Sequence, residues 1–210
     1  MIEYPSIINS SKAPRTHCIA FDKVDGSNFR AKYTQKGGFN LFGTRTQLID
    51  EATPMWGEMV TNFKENHEKE LTNLFKKNKD YRDFREITVF AEFVGDNSFA
   101  GRHVKEPHKL IFFDTLVGHK ERKFISPVDF IKDFQETIPI PDVVYVGNLN
   151  DTLIEDVRKN KFGLKEGVIC KGTHTRGDFC GGVWMCKIKT QEYFNKLKEV
   201  FREDWIKYGE

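Results

Sequence analysis

Short apolar runs separated by turn residues recur along most of the chain, and this pattern predicts β-strands. The runs are rich in β-branched and aromatic side chains, which strands favour. Gly37 and Gly38 supply a turn between two of the runs. The predicted strands span residues 17–24, 28–35, 39–46, 85–95, 109–118, 142–147, 166–172 and 181–189.

Four other segments carry apolar residues at three- and four-residue spacing with charges between them, which predicts amphipathic helices. One helix is expected from Pro54 to about Asn78, a short one from Pro127 to Glu136, another over residues 151–160, and a last one over 191–205. The first should bury Met55, Met59, Phe63, Leu71, Leu74 and Phe75, and the last Phe194, Leu197, Val200, Phe201 and Trp205.

Short strands mixed irregularly with helices favour an α+β fold, with mostly antiparallel β-sheets and flanking helices, over a doubly wound parallel sheet. The 210 residues suit one domain, and no segment resembles an interdomain linker, so we expect a single domain over residues 1–210. A chain of this length buries roughly 70% of its unfolded surface and needs no disulfide or metal in order to fold.

Charge and cysteine content exclude several classes of protein. Lys and Arg number 33 against 31 Asp and Glu, and the net charge of +2 is that of neither a disordered acidic chain nor a histone-like one. The sequence shows neither a signal peptide nor a transmembrane run. Cys18, Cys170, Cys180 and Cys186 form no CxxC pair and lie in or beside apolar runs, as free buried thiols do. We therefore expect a reducing, cytoplasmic setting.

The first candidate for chemistry is the segment Lys23-Val24-Asp25-Gly26-Ser27-Asn28. It places an amine at the end of a strand, a glycine that allows close backbone approach, and side chains that form hydrogen bonds. A hairpin turn with a solvated lysine explains the same residues. An EF-hand is excluded because Asp22 and Asp25 are three apart, and a Walker A loop because Thr44 and Arg45 follow the glycines.

More polar residues stand at the ends of predicted strands. Glu92 lies in the run EFVG and Glu166 opens the run EGVICK, where a carboxylate is costly unless it meets a cation or a ligand. Phe112-Phe113-Asp114 is an aromatic pair closed by an acid. Lys187 and Lys189 share one face of a strand and repel each other unless an anion lies between them. Alone, each feature also fits an ion pair, a core position or a solvated strand.

Taken in order, these features resemble the motifs of the covalent lysyl-nucleotidyltransferases, which are the ATP-dependent RNA and DNA ligases and the mRNA capping enzymes. The motifs of that superfamily are KxDG, an acidic (E/D)xxG, an aromatic strand, EG(V/L)(V/I)xK and KxK. The resemblance runs from Lys23 to Lys189, most of the chain, and five ordered motifs are far more specific than any one of them. The segments KVDGSNF, GTRT and EFVGDNSFAG are most similar to the phage RNA ligase 2 type.

The resemblance implies catalytic roles for three lysines and a metal-binding role for Glu166. Lys23 would attack the α-phosphorus of ATP, forming lysyl-AMP and releasing pyrophosphate. Lys187 and Lys189 would contact the α-phosphate and neutralise charge in the transition state, which is what phosphoryl transfer needs most. Glu166 would help to hold Mg²⁺ or Mn²⁺, because such ions bind one or two carboxylates together with substrate phosphates.

The resemblance also implies which residues bind the rest of the nucleotide. Asn28 and Arg45 would contact the sugar or the phosphates, and Arg45 also the 5′ end of the polynucleotide. Glu92 would bind the ribose. Phe113, the aromatic residue directly before the acid, would stack on adenine, whereas Phe112 is expected in the core.

The implied substrates are ATP and RNA, either a nicked duplex or a broken single strand, with DNA possible. We expect a monomer, an accessory end-binding protein as a possible partner, no membrane partner, and a cytoplasmic location, which is the host cytoplasm if the protein is viral. The family often carries a C-terminal domain, but the residues after Lys189 suffice for one helix. No C-terminal OB or helical domain is therefore expected.

Two alternatives stay open: a minimal DNA nick ligase, and a non-catalytic module that binds nucleotides or RNA ends. The lysine and acid motifs argue against the module, because binding alone needs no nucleophile. The basic run from Arg102 to Lys123 fits either polynucleotide contacts or a solvated face. His103, His108 and His174 match no zinc spacing with the cysteines, so no structural metal is expected.

Overall fold

The computed structural model describes residues 1–96, 106–118, 121–173 and 182–202. In these residues eleven strands form two sheets. The strands are β1 (Ile8–Asn9), β2 (His17–Asp22), β3 (Ser27–Thr34), β4 (Gly38–Gly43), β5 (Leu48–Ile49), β6 (Glu86–Val94), β7 (Lys109–Gly118), β8 (Arg122–Phe124), β9 (Val143–Asn148), β10 (Gly167–Thr173) and β11 (Val183–Lys189).

Six α-helices and one 3₁₀ turn (Ser10–Lys12) complete the described part of the chain. The helices are α1 (Gly57–Asn66), α2 (Glu68–Lys77), α3 (Lys79–Arg82), α4 (Pro127–Phe134), α5 (Asp151–Arg158) and α6 (Gln191–Phe201). All strand pairs in these residues are antiparallel except β1 with β11, which is parallel. The predicted α+β class with mostly antiparallel sheets is confirmed.

The chain divides into two compact units, each built on one sheet. The six-stranded unit comprises Met1–Pro5 and Asp25–Ile140 and has the strand order β5-β4-β3-β6-β7-β8. The five-stranded unit comprises Ser6–Val24 and Pro141–Glu210 and has the order β1-β11-β10-β2-β9. The expectation of a single domain over residues 1–210 stays a prediction.

In the six-stranded unit, α1, α2 and α4 pack against one face of the sheet and form an aromatic core. Phe63 of α1 contacts Phe29, Phe39 and Phe42 at ring-centroid distances of 4.8 to 5.6 Å. Such ring pairs add to the apolar area that each side chain buries. Helix α4 begins as predicted, with Pro127 in its first turn and the Ser126 hydroxyl accepting a hydrogen bond from the Asp129 amide.

In the five-stranded unit, one face of the sheet forms the core with α5. Side chains alternate between the two faces of a strand, so Val168 and Cys170 of β10 lie over this core, as do Cys186 and Ile188 of β11. Cys18, Cys170 and Cys186 are buried free thiols, as predicted. Cys180 lies outside the described residues.

The predicted helix from Pro54 to Asn78 is wrong in two respects. It begins at Gly57, and it divides into α1 and α2 at His67, whose φ of −133° is not helical. Met55 was expected in the core but is 86% exposed, with a φ of +67°. It precedes the helix, so the apolar spacing that it shares with Met59 does not place it on the helix's buried face.

Helix α6 differs from the prediction in the face that it buries. Leu197 is buried as predicted, but Tyr193, which was not predicted, is also buried, and Val200 is 61% exposed. Trp205 lies outside the described residues, as do all residues after 202. The other predicted strands and helices are confirmed, with most of their ends within one to three residues of the prediction. No helix of the described residues is long and apolar enough to cross a membrane.

Candidate active site

The predicted lysines of the five-stranded unit share the sheet face opposite its core. Lys187 and Lys189 on β11 lie opposite Ile169 and Gly167 of β10, while Val168 and Ile188, between these positions, point into the core. Lys23 directly follows β2, and its amide donates a hydrogen bond to the Gly167 carbonyl at 2.9 Å. The predicted catalytic lysines therefore lie at the ends of β2 and β11, on either side of the beginning of β10.

Glu166 joins two of these lysines through its carboxylate. Lys23 Nζ donates to Glu166 Oε2 at 2.8 Å, and Lys189 Nζ lies 3.5 Å from Oε1. Glu166 is 2% exposed and Lys189 6% exposed, whereas the Lys23 side chain retains 24% of its exposure. Of the two amines on this carboxylate, Lys23 is the more accessible.

The charges in this group act on the amine of Lys189. Burial lowers its pKa, and the neighbouring cations Lys23 and Lys187 lower it further. Glu166 opposes both effects, because its negative charge favours the protonated amine. The group is thus a buried acid in contact with two lysines, with a third lysine close enough to act on Lys189, and this surplus of positive charge suits it to hold an anion.

Two more residues of this unit were not assigned a role from the sequence. Lys171, the last residue of EGVICK, is 4% exposed, and its Nζ lies 5.5 Å from the centre of the Phe21 ring. It occupies the same face as Lys187 and Lys189, since its position along β10 alternates with the core cysteine. Lys171 is the closing lysine of the EG(V/L)(V/I)xK motif, and that position is the signal from which the sequence could have predicted it.

The other unassigned residue is Asp22, directly before Lys23. Burial raises the pKa of its carboxyl, and Asp142 and Glu166 raise it further. Its Oδ1 is buried and has no hydrogen-bond partner among the described residues. A buried carboxylate oxygen in this state is stabilised by a cation.

These acids decide whether a divalent ion fits the site. The described residues contain no group of three or more His, Cys, Asp or Glu side chains that could hold a metal ion. Glu166 and Asp22 supply two carboxylates, which is the number that Mg²⁺ typically takes from protein when substrate phosphates and water complete its shell. The donor set therefore fits a metal that arrives with a nucleotide.

The six-stranded unit carries the other predicted site residues. Asn28 on β3 and Glu92 on β6 lie directly opposite each other, on the sheet face away from the aromatic core. Both side chains are half-buried, and Asn28 Oδ1 has no hydrogen-bond partner in the described part of the chain. A neighbouring amide and carboxylate at one register position suit the hydroxyl groups of a sugar.

Phe113 reaches the same face through a β-bulge. Phe90 pairs with Asp114 and Ala91 with Phe112, so Phe113 is the extra residue of β7. Phe112 is buried in the aromatic core, as expected, whereas Phe113 is half-buried and its ring lies 6.4 Å from that of Phe90. Phe112 and Phe113 lie on opposite faces because successive side chains of a strand alternate, and the bulge places Phe113 on the same face as Asp114.

A contact of Phe113 with Tyr4 was not foreseen. The Tyr4 ring meets the Phe113 ring edge-to-face at 4.9 Å, and its hydroxyl donates to Asp114 Oδ2 at 2.8 Å. Tyr4 is 8% exposed and Asp114 2%. The acid of the aromatic motif thus anchors a tyrosine from the beginning of the chain, and nothing in the sequence between them signals this contact.

Arg45 stands apart from these side chains in the turn between β4 and β5. The turn is closed by a hydrogen bond from the Thr44 amide to the Gln47 carbonyl at 2.9 Å, and Arg45 is exposed. An exposed guanidinium on a short turn is available to a phosphate.

The basic run from Arg102 to Lys123 is described only in part, because Arg102, Lys105 and Lys120 lie outside the described residues. Arg122 forms a salt bridge with Glu86 at 2.8 Å, and Lys123 is exposed. His103 and His174 also lie outside the described residues.

The structure therefore gathers the predicted residues into two groups, one in each unit. Lys23, Glu166, Lys187 and Lys189 form the lysine group of the five-stranded unit. Asn28, Glu92 and Phe113 lie on one sheet face of the six-stranded unit, with Arg45 on a turn beside β4.

Comparison with known proteins identifies the class of protein. Residues 16–189 match the RNA ligase family, a region that contains all the predicted site residues. The chain belongs to the RNA ligase family. A comparison with curated protein sequences found no match.

Solved structures share the fold. A mutant of Naegleria gruberi RNA ligase without ligand superposes with a TM-score of 0.69 at 12% identity, covering 93% of this chain and 58% of that one. A second mutant of that ligase, with ATP and Mn, gives 0.68 at 12% identity, with 94% and 59% covered. A third, with AMP and Mn, gives 0.67 at 10% identity, with 93% and 58% covered. This chain therefore spans less than two thirds of the Naegleria chains, and at these identities the likeness establishes the fold.

Proposed function

We propose that the protein is an ATP-dependent RNA ligase that joins 5′-phosphate and 3′-hydroxyl ends through lysyl-AMP. The observation that carries this proposal is the lysine group, in which Lys23 and Lys189 meet the buried carboxylate of Glu166 at the end of a strand. A buried acid with three lysines is costly as a structural device, because each desolvated charge must be compensated. The same arrangement is well suited to a reaction at a nucleotide phosphate.

In the first step, the neutral amine of Lys23 attacks the α-phosphorus of ATP. The N–P bond forms, the bond from the α-phosphorus to the bridging oxygen breaks, and pyrophosphate leaves while the nitrogen gives up its extra proton to solvent. Lys187 and Lys189 neutralise the charge that spreads over the phosphate oxygens in the transition state. An oxygen of the 5′-phosphate then attacks the phosphorus of lysyl-AMP, and the N–P bond breaks with release of the Lys23 amine. The 3′-hydroxyl oxygen attacks the phosphorus of that 5′-phosphate, AMP leaves, the hydroxyl proton passes to solvent, and the phosphodiester is formed.

A divalent ion, Mg²⁺ or Mn²⁺, would be held by Glu166 with Asp22 as a second carboxylate. When bound, it supplies positive charge at the phosphates. The chain's own residues act beside it: the lysines orient the phosphates, and Glu166 accepts a hydrogen bond from Lys23 and so places its nitrogen.

The residues of the six-stranded unit would bind the nucleoside. Glu92 and Asn28 offer a carboxylate and an amide, which accept and donate hydrogen bonds to the ribose hydroxyls. Phe113 is half-buried and presents an aromatic ring, which suits stacking on adenine. Arg45 would contact phosphates of ATP or the 5′ end of the RNA.

RNA as the polynucleotide is supported by membership of the RNA ligase family. The phage RNA ligase 2 type is supported by the KVDGSNF, GTRT and EFVGDNSFAG segments. We further propose a monomer that acts in the cytoplasm and takes a nicked duplex or a broken strand, with an accessory protein to hold the ends if contacts of the ligase itself do not suffice.

The test is incubation with Mg²⁺ and α-labelled ATP or GTP, followed by denaturing electrophoresis of wild type and Lys23→Ala. We expect an acid-labile, alkali-stable label from ATP that the variant lacks. A label from GTP would point to capping. No label, in a folded protein that mass spectrometry shows is not already adenylated, would refute the mechanism and favour a nucleotide- or RNA-end-binding module.

The adenylated protein is then given nicked duplexes that differ in the strand with the 3′-hydroxyl. Sealing that requires RNA in this strand is expected. Equal sealing of a nick made entirely of DNA would identify a minimal DNA ligase instead, with the same residues at work.

A further inference from the structure

His108 lies directly before β7, and both of its ring nitrogens face an oxygen atom. Nδ1 is 2.5 Å from Glu58 Oε1 on α1, and Nε2 is 2.7 Å from the main-chain oxygen of Asp96, which follows β6. The side chain retains 28% of its exposure, so the contacts lie at the edge of the six-stranded unit. No site residue predicted from the sequence is involved in either contact.

These two contacts fix the protonation state of the ring. A main-chain carbonyl has no proton to donate, and a carboxylate accepts hydrogen bonds. A neutral imidazole has one N–H and one bare nitrogen, so it can satisfy only one of these acceptors. Both bonds together require the doubly protonated, positively charged ring of His108.

The ring holds the end of the strand that carries Glu92. A Cβ atom on Gly95 would lie 2.3 Å from His108 Cδ2, so a side chain at this position would displace the ring. Gly95 also has a φ of +138°, which glycine adopts without strain. The Phe93 ring lies 4.9 Å from the imidazole. The glycine of the EFVG motif is therefore explained by the place of His108 behind it.

The KVDG motif packs against the same strand end. A Cβ atom on Gly26 would lie 2.5 Å from the Phe93 carbonyl oxygen, so this glycine too is required by close backbone approach. Asn62 of α1 donates to the His108 carbonyl at 3.3 Å, which ties the helix to the residue itself. A shift of this end of β6 would therefore displace the backbone at Gly26, which precedes β3, and the side chain of His108, which precedes β7.

We propose that charged His108 is a positioning residue that holds the end of β6 and thereby sets the place of Glu92 for the nucleotide. The inference rests on the proposed function, in which Glu92 binds the ribose. His108 is not proposed to contact the nucleotide itself and acts through the strand.

The position of the ring makes this role sensitive to pH. The charged groups that act on His108 are Asp96 at the end of β6 and Glu58 on α1. The hydrogen bond to the Asp96 carbonyl raises the pKa of His108 most, the Glu58 carboxylate raises it further, and burial opposes both. The two hydrogen bonds of the charged His108 ring are therefore both present at pH values below the ordinary histidine pKa of about 6.5, and one is lost as the pH rises through the raised folded-state pKa.

The first experiment measures the KM for ATP in lysyl-AMP formation from pH 6 to 9.5, for wild type, His108→Gln and Glu58→Gln. Wild type should show a rise in KM of roughly tenfold through the histidine titration, the effect expected for loss of one charge-assisted hydrogen bond. His108→Gln should have the raised KM at low pH and no such step, and the effect on KM should exceed that on kcat. Titration of ATP itself is common to all three proteins and cancels in their ratios.

Glu58→Gln separates positioning from a general structural role. The amide keeps an oxygen acceptor for Nδ1 but removes the negative charge, so the midpoint of the KM step should move to lower pH. The His108 ring proton signals, followed by NMR against pH, give a readout that does not depend on activity. Wild type should titrate above pH 6.5 and Glu58→Gln below wild type.

A wild-type KM that follows the same pH course as that of folded His108→Gln would overturn the inference, and so would a His108 titration at or below pH 6.5. If His108→Gln does not fold, Glu58→Gln and the NMR titration still decide between these outcomes. Absence of lysyl-AMP in wild type at every pH would refute the proposed function instead, and the two failures are thereby distinguished.

Discussion

Replacing Glu166 by Gln tests the lysine group most severely. The carboxylate is 2% exposed and lies 2.8 Å from Lys23 Nζ and 3.5 Å from Lys189 Nζ, so the substitution leaves a buried ammonium without its counter-charge. Breaking a buried ion pair from one side typically costs 3 to 5 kcal/mol. Because the amide of Glu166→Gln retains one oxygen acceptor, we expect a loss of about 3 kcal/mol in the free energy of unfolding near pH 7.

The loss of stability in Glu166→Gln should depend on pH, and the titration of Lys189 determines the direction of that dependence. Burial and the other lysines lower its pKa in the folded protein, so in the range up to about 10.4 the unfolded chain binds more protons and stability rises with pH. Glu166→Gln lowers that pKa further, because the carboxylate that favours the ammonium is gone. The difference between variant and wild type should therefore be largest near pH 7 and shrink towards pH 9.5.

The assay is urea unfolding of both proteins at pH 7 and pH 9.5. A matched control is Glu155→Gln, which breaks the exposed pair of Glu155 with Lys159 and should hardly change stability. A loss for Glu166→Gln as small as that of the control, or one that grows with pH, would refute the described charge arrangement.

Three further substitutions test packing around the candidate site. Tyr4→Phe removes the buried bond to Asp114 and should cost about 1 to 3 kcal/mol in urea unfolding; an unchanged midpoint would show that the hydroxyl is not bonded. Gly95→Ala should lower the melting temperature more than Gly163→Ala, because both glycines have a positive φ but an added Cβ atom would meet His108 only at Gly95. Equal falls in melting temperature would contradict the close approach of His108 to Gly95. Arg30→Met should keep or raise stability, because the buried Nε and Nη1 of Arg30 have no hydrogen-bond partner among the described residues. A large fall in the melting temperature of this variant would contradict that expectation.

Sequence pattern sufficed for the longer, largely buried strands. Runs such as KLIFFDTLVG coincide with β7 because an apolar, β-branched run of that length has few other stable conformations. β1, β5 and β8 contain only two or three residues, too few for a periodicity to show. The break at His67 also escaped prediction, since Phe63 and Leu71 keep helical spacing across it and both are buried.

The candidate site likewise contains some residues that the sequence predicted and others that it did not. Lys23, Glu166 and Lys189 were predicted as a set because their motifs are ordered along the chain, and their contacts follow from strand ends that meet on one sheet. Tyr4 and His108 were not, because their partners are fixed by packing: the hydroxyl of Tyr4 meets an acid 110 residues away. Such contacts leave no local pattern in a sequence.

The most direct test of the central claim is to locate AMP on the protein. Lys23 and Lys189 both contact Glu166, but the pKa of Lys189 is lowered while its side chain is only 7% exposed, against 24% for Lys23. Peptide mapping by mass spectrometry after incubation with ATP and Mg²⁺ should find AMP on Lys23 and none in Lys23→Ala. AMP on Lys189, or a modified Lys23→Ala protein, would contradict the account.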